Sequence, residues 1–94
     1  MPYELAFHPD ALNEWRKLDK TVADQIKKKL AERLSNPIVV SARVSGGADL
    51  YKIKLRTVGY RLVYQVQDQQ LMVLVLSVGK RERNAAYKLA LIRL

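Results

Sequence analysis

Lys52, Lys54, Arg56 and Arg61 are the residues whose type and spacing could do chemistry. They fall in two segments of strict alternation. Tyr51, Ile53 and Leu55 interleave with Lys52, Lys54 and Arg56, and after Thr57-Val58-Gly59 the pattern resumes as Tyr60, Leu62, Tyr64 and Val66 against Arg61, Val63, Gln65 and Gln67. Two such segments joined by a short turn containing glycine predict a β-hairpin. Successive strand side chains point to opposite faces, so burial of the apolar set forces Lys52, Lys54, Arg56 and Arg61 together on the other face. No carboxylate lies between Leu50 and Gln67, and like charges opposed across a hairpin cost about 0.2–1 kcal/mol per pair. A polyanion is the natural missing partner. The plainer alternative is a sheet face that lysines keep soluble and unpaired.

A second basic run, Gly79-Lys80-Arg81-Glu82-Arg83, follows an apolar segment and precedes a helical pattern. Backbone N–H groups at a helix start favour phosphate, and Arg81 or Arg83 adds a planar, two-pronged donor. Tyr87 lies a turn and a half beyond Arg81 and reaches the same region if the helix start curls over the sheet; a half-buried helix aromatic is the alternative. Glu82 reads as a helix-dipole partner in the first turn.

The missing catalysts narrow the chemistry. His8 is the only histidine and there is no cysteine, which excludes two-histidine ribonuclease chemistry and a thiolate nucleophile and leaves Ser-His-Asp catalysis no base but His8. His8 itself, before Pro9-Asp10, suits a surface or capping role. The carboxylates are scattered among turns and helices rather than clustered as a divalent-metal nuclease requires, so neither metal nor cofactor is expected. What remains is Lys, Arg and Tyr. That set suits RNA cleavage, because RNA brings its own 2′-OH nucleophile and fixed cations can stabilise a phosphorane-like transition state. With 17 Lys plus Arg against 9 Asp plus Glu, the net charge of +8 favours a nucleic-acid partner. Lys27-Lys28-Lys29 adds either a solvated helix face or an electrostatic hold on a ribonucleoprotein.

The elements that must position these groups are legible in order. Tyr3, Leu5 and Phe7 alternate as a first strand. Ala11, Leu12, Trp15 and Leu18 form a helix that Pro9 can open. From Thr21, the stripe Val22, Ile26, Leu30 and Leu34 forms a second helix, with Thr21 and Asp24 resembling a capping box, ending at Ser35-Asn36-Pro37. The two helices are expected as an antiparallel pair packed on the sheet. Residues 38–49 read as a loop. Leu71 to Val78 is almost wholly apolar, as a central strand covered on both faces would be, and Arg81 to Leu94 reads as a C-terminal helix. The order β-α-α-β-β-β-α predicts one compact α+β domain over residues 1–94, its largely antiparallel β-sheet packed against two N-terminal helices and joined by a C-terminal helix. The longest apolar run, Leu71–Leu76, is far short of the ~20 residues of a membrane helix, and Met1–Phe7 lacks the pattern of a signal peptide. A cytoplasmic location without membrane association is expected.

Three blocks in this order, Tyr51-Lys52-Ile53-Lys54-Leu55-Arg56, Gly59-Tyr60-Arg61-Leu62-Val63-Tyr64-Gln65-Val66 and Ser77-Val78-Gly79-Lys80-Arg81-Glu82-Arg83, with Glu14-Trp15-Arg16-Lys17-Leu18 upstream and Tyr87 beyond, resemble the RelE family of bacterial toxin–antitoxin toxins. The likeness covers essentially the whole chain. It implies a RelE-like microbial RNase fold and an mRNA endoribonuclease that acts in the A site of the 70S ribosome. It also implies neutralisation by a cognate RelB-like antitoxin, with operator DNA met only through the antitoxin complex. Carried over position by position, it implies catalytic roles for Lys52, Lys54, Arg61, Arg81 and Tyr87. Arg61 and Arg81 would hold the scissile phosphate, the lysines would assist proton transfer or neutralise charge, and Tyr87 would orient a base. RNA or ribosome contacts are expected from Arg43, Arg56, Lys80, Arg83, Lys27, Lys28 and Lys29. Family members carry Lys-Leu-Arg-Gly where this chain has Arg43-Val44-Ser45-Gly46, so Ser45 replaces an arginine there. Two rivals remain: a ParE-like gyrase poison of the same fold, and a non-enzymatic basic module that binds nucleic acid.

Overall fold

The alternating and apolar segments become a four-stranded sheet of order β1-β4-β3-β2, in a computed structural model that describes residues 3–80, 82 and 84–94. The strands are β1 (Glu4–Phe7), β2 (Leu50–Leu55), β3 (Tyr60–Gln67) and β4 (Met72–Lys80), and the helices are α1 (Pro9–Arg16), α2 (Lys20–Ser35) and α3 (Ala85–Ile92). β2, β3 and β4 pair antiparallel, and β1 runs parallel to β4.

The unbroken hydrophobicity of β4 has the expected cause. This strand sits inside the sheet, and each face is covered by its own core. On one side the apolar stripes of α1 and α2, through Ala11, Val22, Ile26 and Leu30, meet Tyr51, Ile53, Leu62, Tyr64, Val73 and Val75. On the other side Ala86 and Ala90 of α3 meet Leu50, Val63 and Leu76, with Val44 from the loop before β2. A bulge interrupts the strict alternation. Val63 pairs with Ser77 but Tyr64 pairs with Val75, which leaves Leu76 as the extra residue. Leu76 joins the α3-side core while Ser77 Oγ, fully buried, donates to the Ala86 carbonyl at 2.6 Å. Two consecutive β4 residues therefore serve α3.

Local chemistry sets the ends. His8 caps α1, its Nδ1 accepting from the Asp10 N–H at 3.1 Å. α2 does not use the expected capping box: its N-cap is Asp19, and the Asp24 carboxylate instead pairs with Lys20 at 2.9 Å. Residues 38–49 hold a short 3-10 turn at Val40–Ala42 and a bridge from Arg43 to Tyr51. The hairpin turn runs from Arg56 to Gly59, closed by the Gly59 N–H on the Leu55 carbonyl at 2.9 Å, with Gly59 at φ 69°, a conformation glycine adopts without Cβ strain. β4 extends to Lys80, and α3 begins only after Asn84, which sits at φ 61°. Glu82 thus lies ahead of the helix, its carbonyl accepting from the Ala85 N–H, rather than in the first turn.

An ion pair closes the β4 edge where β1 runs out. Arg93, at the C-cap of α3, makes a two-pronged contact with Glu14 of α1 at 2.9 and 2.8 Å and donates to the Leu76 carbonyl at 2.8 Å. Glu14 also accepts from the Val78 N–H at 3.0 Å. Burial pushes the Glu14 carboxyl up, but the Arg93 and Val78 donors and the charges of Arg93 and His8 outweigh it and hold the group below its ordinary value. The pair fastens α3 to α1 across the end of the central strand. Among the described residues no helix is long and apolar enough to cross a membrane.

Candidate active site

Lys54 and Arg61 are direct cross-strand partners, as are Ile53 and Leu62, and Tyr51 and Tyr64. The parity argument holds in the structure: the apolar partners enter the core under α1 and α2, whereas Lys52, Lys54 and Arg61 share the α3 side of the sheet. Directly opposed side chains start about 5 Å apart, so Lys54 and Arg61 begin as neighbours with no acid between them in the hairpin. Arg56 is the exception within the set. It sits in the turn rather than on the strand and is exposed, yet it lines a cleft of about 300 Å3 with Lys54 and Arg61.

Tyr87 completes the cluster from above. It lies in the first turn of α3, which Ser77 and the Arg93–Glu14 pair hold against the sheet, so its ring comes down on the cations. The Arg61 guanidinium lies 5.0 Å and the Lys52 ammonium 6.0 Å from the ring centroid, both within cation–π range. Asn84 fixes Arg61 from a third direction, its Oδ1 accepting from an Arg61 guanidinium N–H at 3.2 Å. The fork of Arg61 is thereby preorganised. Two polar atoms are left over at its centre: Arg61 Nε and the Tyr87 hydroxyl are buried without a hydrogen-bond partner among the described residues. Such atoms cost about 1–3 kcal/mol each when unsatisfied, a penalty that an incoming acceptor would remove.

Opposite Arg61 on β4 stands Gly79. A Cβ there would meet nothing within 4 Å among the described residues, so the floor beside the arginine is open. A fixed guanidinium, a second cation opposite it, an ammonium and phenol alongside and an open floor suit an oxyanion that gains charge during reaction. Among the described residues, no group of three or more His, Cys, Asp or Glu side chains could hold a metal ion.

The other expected contacts are dispersed. Arg81 and Arg83 lie outside the described residues. Lys80 pairs with Tyr60 and so lies on the sheet face opposite Arg61. Arg43 stacks over Tyr51 at 5.9 Å, on the α2 side. The lysine run splits around α2: Lys27 borders an apolar groove with Leu5 and Trp15, Lys28 and Lys29 border another with Gln25 and Glu32, and Lys29 also borders the cleft of Lys52 and Lys54. Four contributors escaped the sequence reading. Asn84 carried a usable signal, since asparagine favours helix starts and positive φ. Glu14, Ser77 and Arg93 carried none, because their partners are remote in sequence.

A family model described as the ParE toxin of type II toxin–antitoxin systems, parDE, matches residues 5–85. The chain is 53% identical over 94 residues to the mRNA interferase toxin RelE of Escherichia coli K12, covering 100% of this chain and 99% of that protein. Among solved structures, it resembles an E. coli RelE mutant in the free state, with a TM-score of 0.92 and 51% identity over 100% of this chain and 99% of that one. The intact E. coli RelBE toxin–antitoxin complex matches with a TM-score of 0.83 and 56% identity, over 86% of this chain and 99% of that one.

Proposed function

The chain belongs to the RelE/ParE toxin family of type II toxin–antitoxin systems, and on that premise we propose that it is an mRNA interferase that cleaves mRNA in the ribosomal A site. The observation that supports this most is the clustering of Lys52, Lys54, Arg61 and Tyr87 on one side of the sheet in a chain 53% identical to an mRNA interferase over its full length. The 2′-OH of the nucleotide before the cut attacks the adjacent phosphorus. The 5′-oxygen of the next nucleotide leaves and takes up a proton, giving a 2′,3′-cyclic phosphate and a 5′-hydroxyl. Arg61 holds the scissile phosphate and stabilises the charge that grows on it. Lys54, with Lys52, offsets that charge and assists proton transfer. Tyr87 keeps Arg61 and Lys52 in register and faces the base beside the cut. Arg81 shares the phosphate with Arg61 in this reading, a role that rests on the resemblance of the basic run alone.

The ribosome supplies what so small a chain lacks. Holding two reacting groups in near-attack geometry is worth roughly 7–11 kcal/mol, and a shallow cationic cleft cannot orient a free strand to that degree. Free RNA is therefore cut feebly. The partners of the toxin are mRNA, the rRNA of the 70S A site and a cognate RelB-like antitoxin, in the cytoplasm, with operator DNA met only through the antitoxin complex. Arg56 and Lys29 contact RNA nearest the cleft, Arg43, Lys80, Lys27 and Lys28 supply contacts with the ribosome further out, and an RNA contact by Arg83 rests on the resemblance of the basic run alone.

Primer extension on one mRNA, with and without ribosomes stalled at a known codon, tests the reading. A new end inside the A-site codon only in the ribosomal lane supports it, and an intact message in both lanes with folded protein rejects it. The ParE description of the family model favours a second reading, poisoning of gyrase; inhibition of supercoiling by purified gyrase at concentrations that leave translation untouched would replace the first reading with that one.

A further inference from the structure

A second basic cleft opens on the other side of the same residues. It has a volume of about 230 Å3 and lies at β2, the edge strand of the sheet, bounded by Lys29 and Arg33 of α2, Ser41 of the 3-10 turn, and Lys52, Lys54 and Arg56. No carboxylate lines it. Arg33 is held rigidly: its guanidinium donates to the Lys52 carbonyl at 3.0 Å and to the Tyr64 hydroxyl at 2.9 Å, and that hydroxyl donates onward to the Pro37 carbonyl at 2.8 Å. These acceptors are neutral, so Arg33 is oriented without being neutralised, and no ion pair is recorded for it among the described residues. A fixed, unneutralised fork with the ammonium groups of Lys29, Lys52 and Lys54 around the same cleft suits an anion.

Continuity selects the anion. Lys54 and Arg56 line both this cleft and the one that contains Arg61. The two form one track that passes around the edge of β2, and a ligand with charges at regular intervals fits it where a single small anion would not. Cationic side chains outnumber the two apolar ones, Ala42 and Ile53, in its walls, unlike the apolar pockets that anchor a peptide. We propose that the β2-edge cleft is a second phosphodiester subsite, in which Lys29 and Arg33 hold an RNA phosphate next to the one at Arg61. The inference rests on the RNA-cleaving reading above, in which Lys29 and Arg56 already contact RNA, and adds Arg33 as the fixed fork and the β2-edge cleft as the place where one phosphate is held. The phosphate comes either from the flank of the cleaved strand or from rRNA.

The test measures binding against salt for the wild type, Lys29→Ala and Lys17→Ala, the last an exposed lysine on another surface with the same change in charge. Two probes separate the sources: a short single-stranded 2′-O-methyl RNA, which cannot be cut, and vacant 70S ribosomes. Each phosphate contact to a single strand contributes about 0.7 to the slope of log K against log salt. Lys29→Ala should lower the slope by up to that amount and weaken binding several-fold, with Lys17→Ala unchanged. A loss on the oligonucleotide identifies the flanking strand, and a loss on ribosomes alone identifies rRNA. Wild-type slopes for Lys29→Ala on both probes overturn the subsite. Because Lys29 is exposed on α2, thermal melts should match, which excludes misfolding. Ribosomal mRNA cleavage by the wild type is scored separately: its presence with unchanged slopes rejects the subsite alone, and its absence rejects the underlying reading.

Discussion

Arg93→Met tests whether the placement of the site depends on one ion pair. The change keeps an apolar stem of similar reach and removes three hydrogen bonds, two to Glu14 and one to the Leu76 carbonyl. Exposed pairs are worth about 0–1 kcal/mol and breaking a fully buried one costs about 3–5. This pair lies between those limits, with side chains 11% and 25% exposed, so about 2–4 kcal/mol is expected. That is a large share of the roughly 5–14 kcal/mol available to a chain of this length. The melting temperature should fall by about 10–30 °C. The pH dependence gives an independent sign. The folded Glu14 carboxyl lies below its ordinary value, so its stabilisation is present above about pH 4.3 and is lost as pH falls through the folded value. Arg93→Met removes the main donor and charge that lower the carboxyl while burial still pushes it up, so the stability gap between the proteins should be widest near neutrality and should narrow below about pH 4. Urea unfolding followed by circular dichroism at both pH values measures it. A gap under about 0.5 kcal/mol, or one as wide in acid as at neutrality, would refute the reasoning.

Arg61→Ala should lower single-turnover cleavage on ribosomes by about 100- to 1,000-fold, the loss typical of one oxyanion donor, while thermal stability holds or rises slightly because its charge faces Lys54; equal inhibition of translation by both proteins would disprove its role. Gly79→Ala should leave the melting temperature nearly unchanged, since the new methyl meets nothing within 4 Å among the described residues, yet reduce cleavage by narrowing the floor beside Arg61. Ser77→Ala removes the bond to the Ala86 carbonyl and should cost about 1 kcal/mol, read by chemical denaturation. Asn84→Gly keeps the positive φ but frees Arg61, so kcat should fall with stability almost unaltered.

The hairpin was legible because a period of two is the strongest local signal a strand can carry, and the same parity placed Lys52, Lys54 and Arg61 on one face. Arg56 departs from that face because the turn takes four residues, and alternation alone does not say where a strand yields to its turn. The bulge at Leu76 was hidden for the opposite reason: β4 is buried on both sides, so its sequence has no alternation for an extra residue to break. The start of α3 was read too early, at Arg81, because the basic run is compatible with a helix; Asn84 at positive φ sets the boundary. Glu14 and Arg93 are 79 positions apart, and nothing local to either residue announces the other. The clustering of the basic side chains was thus readable from residue types and spacing, while the supports that hold them arise from tertiary contacts.

The most direct test of the account uses an mRNA carrying a single 2′-deoxynucleotide immediately before the A-site cut, on stalled ribosomes, beside the all-ribose message. If the substrate supplies the nucleophile and no protein side chain attacks the phosphorus, the all-ribose message is cut to a 2′,3′-cyclic phosphate and the deoxy-substituted one stays intact at that position. Cleavage of the deoxy-substituted message at the same bond would contradict the account.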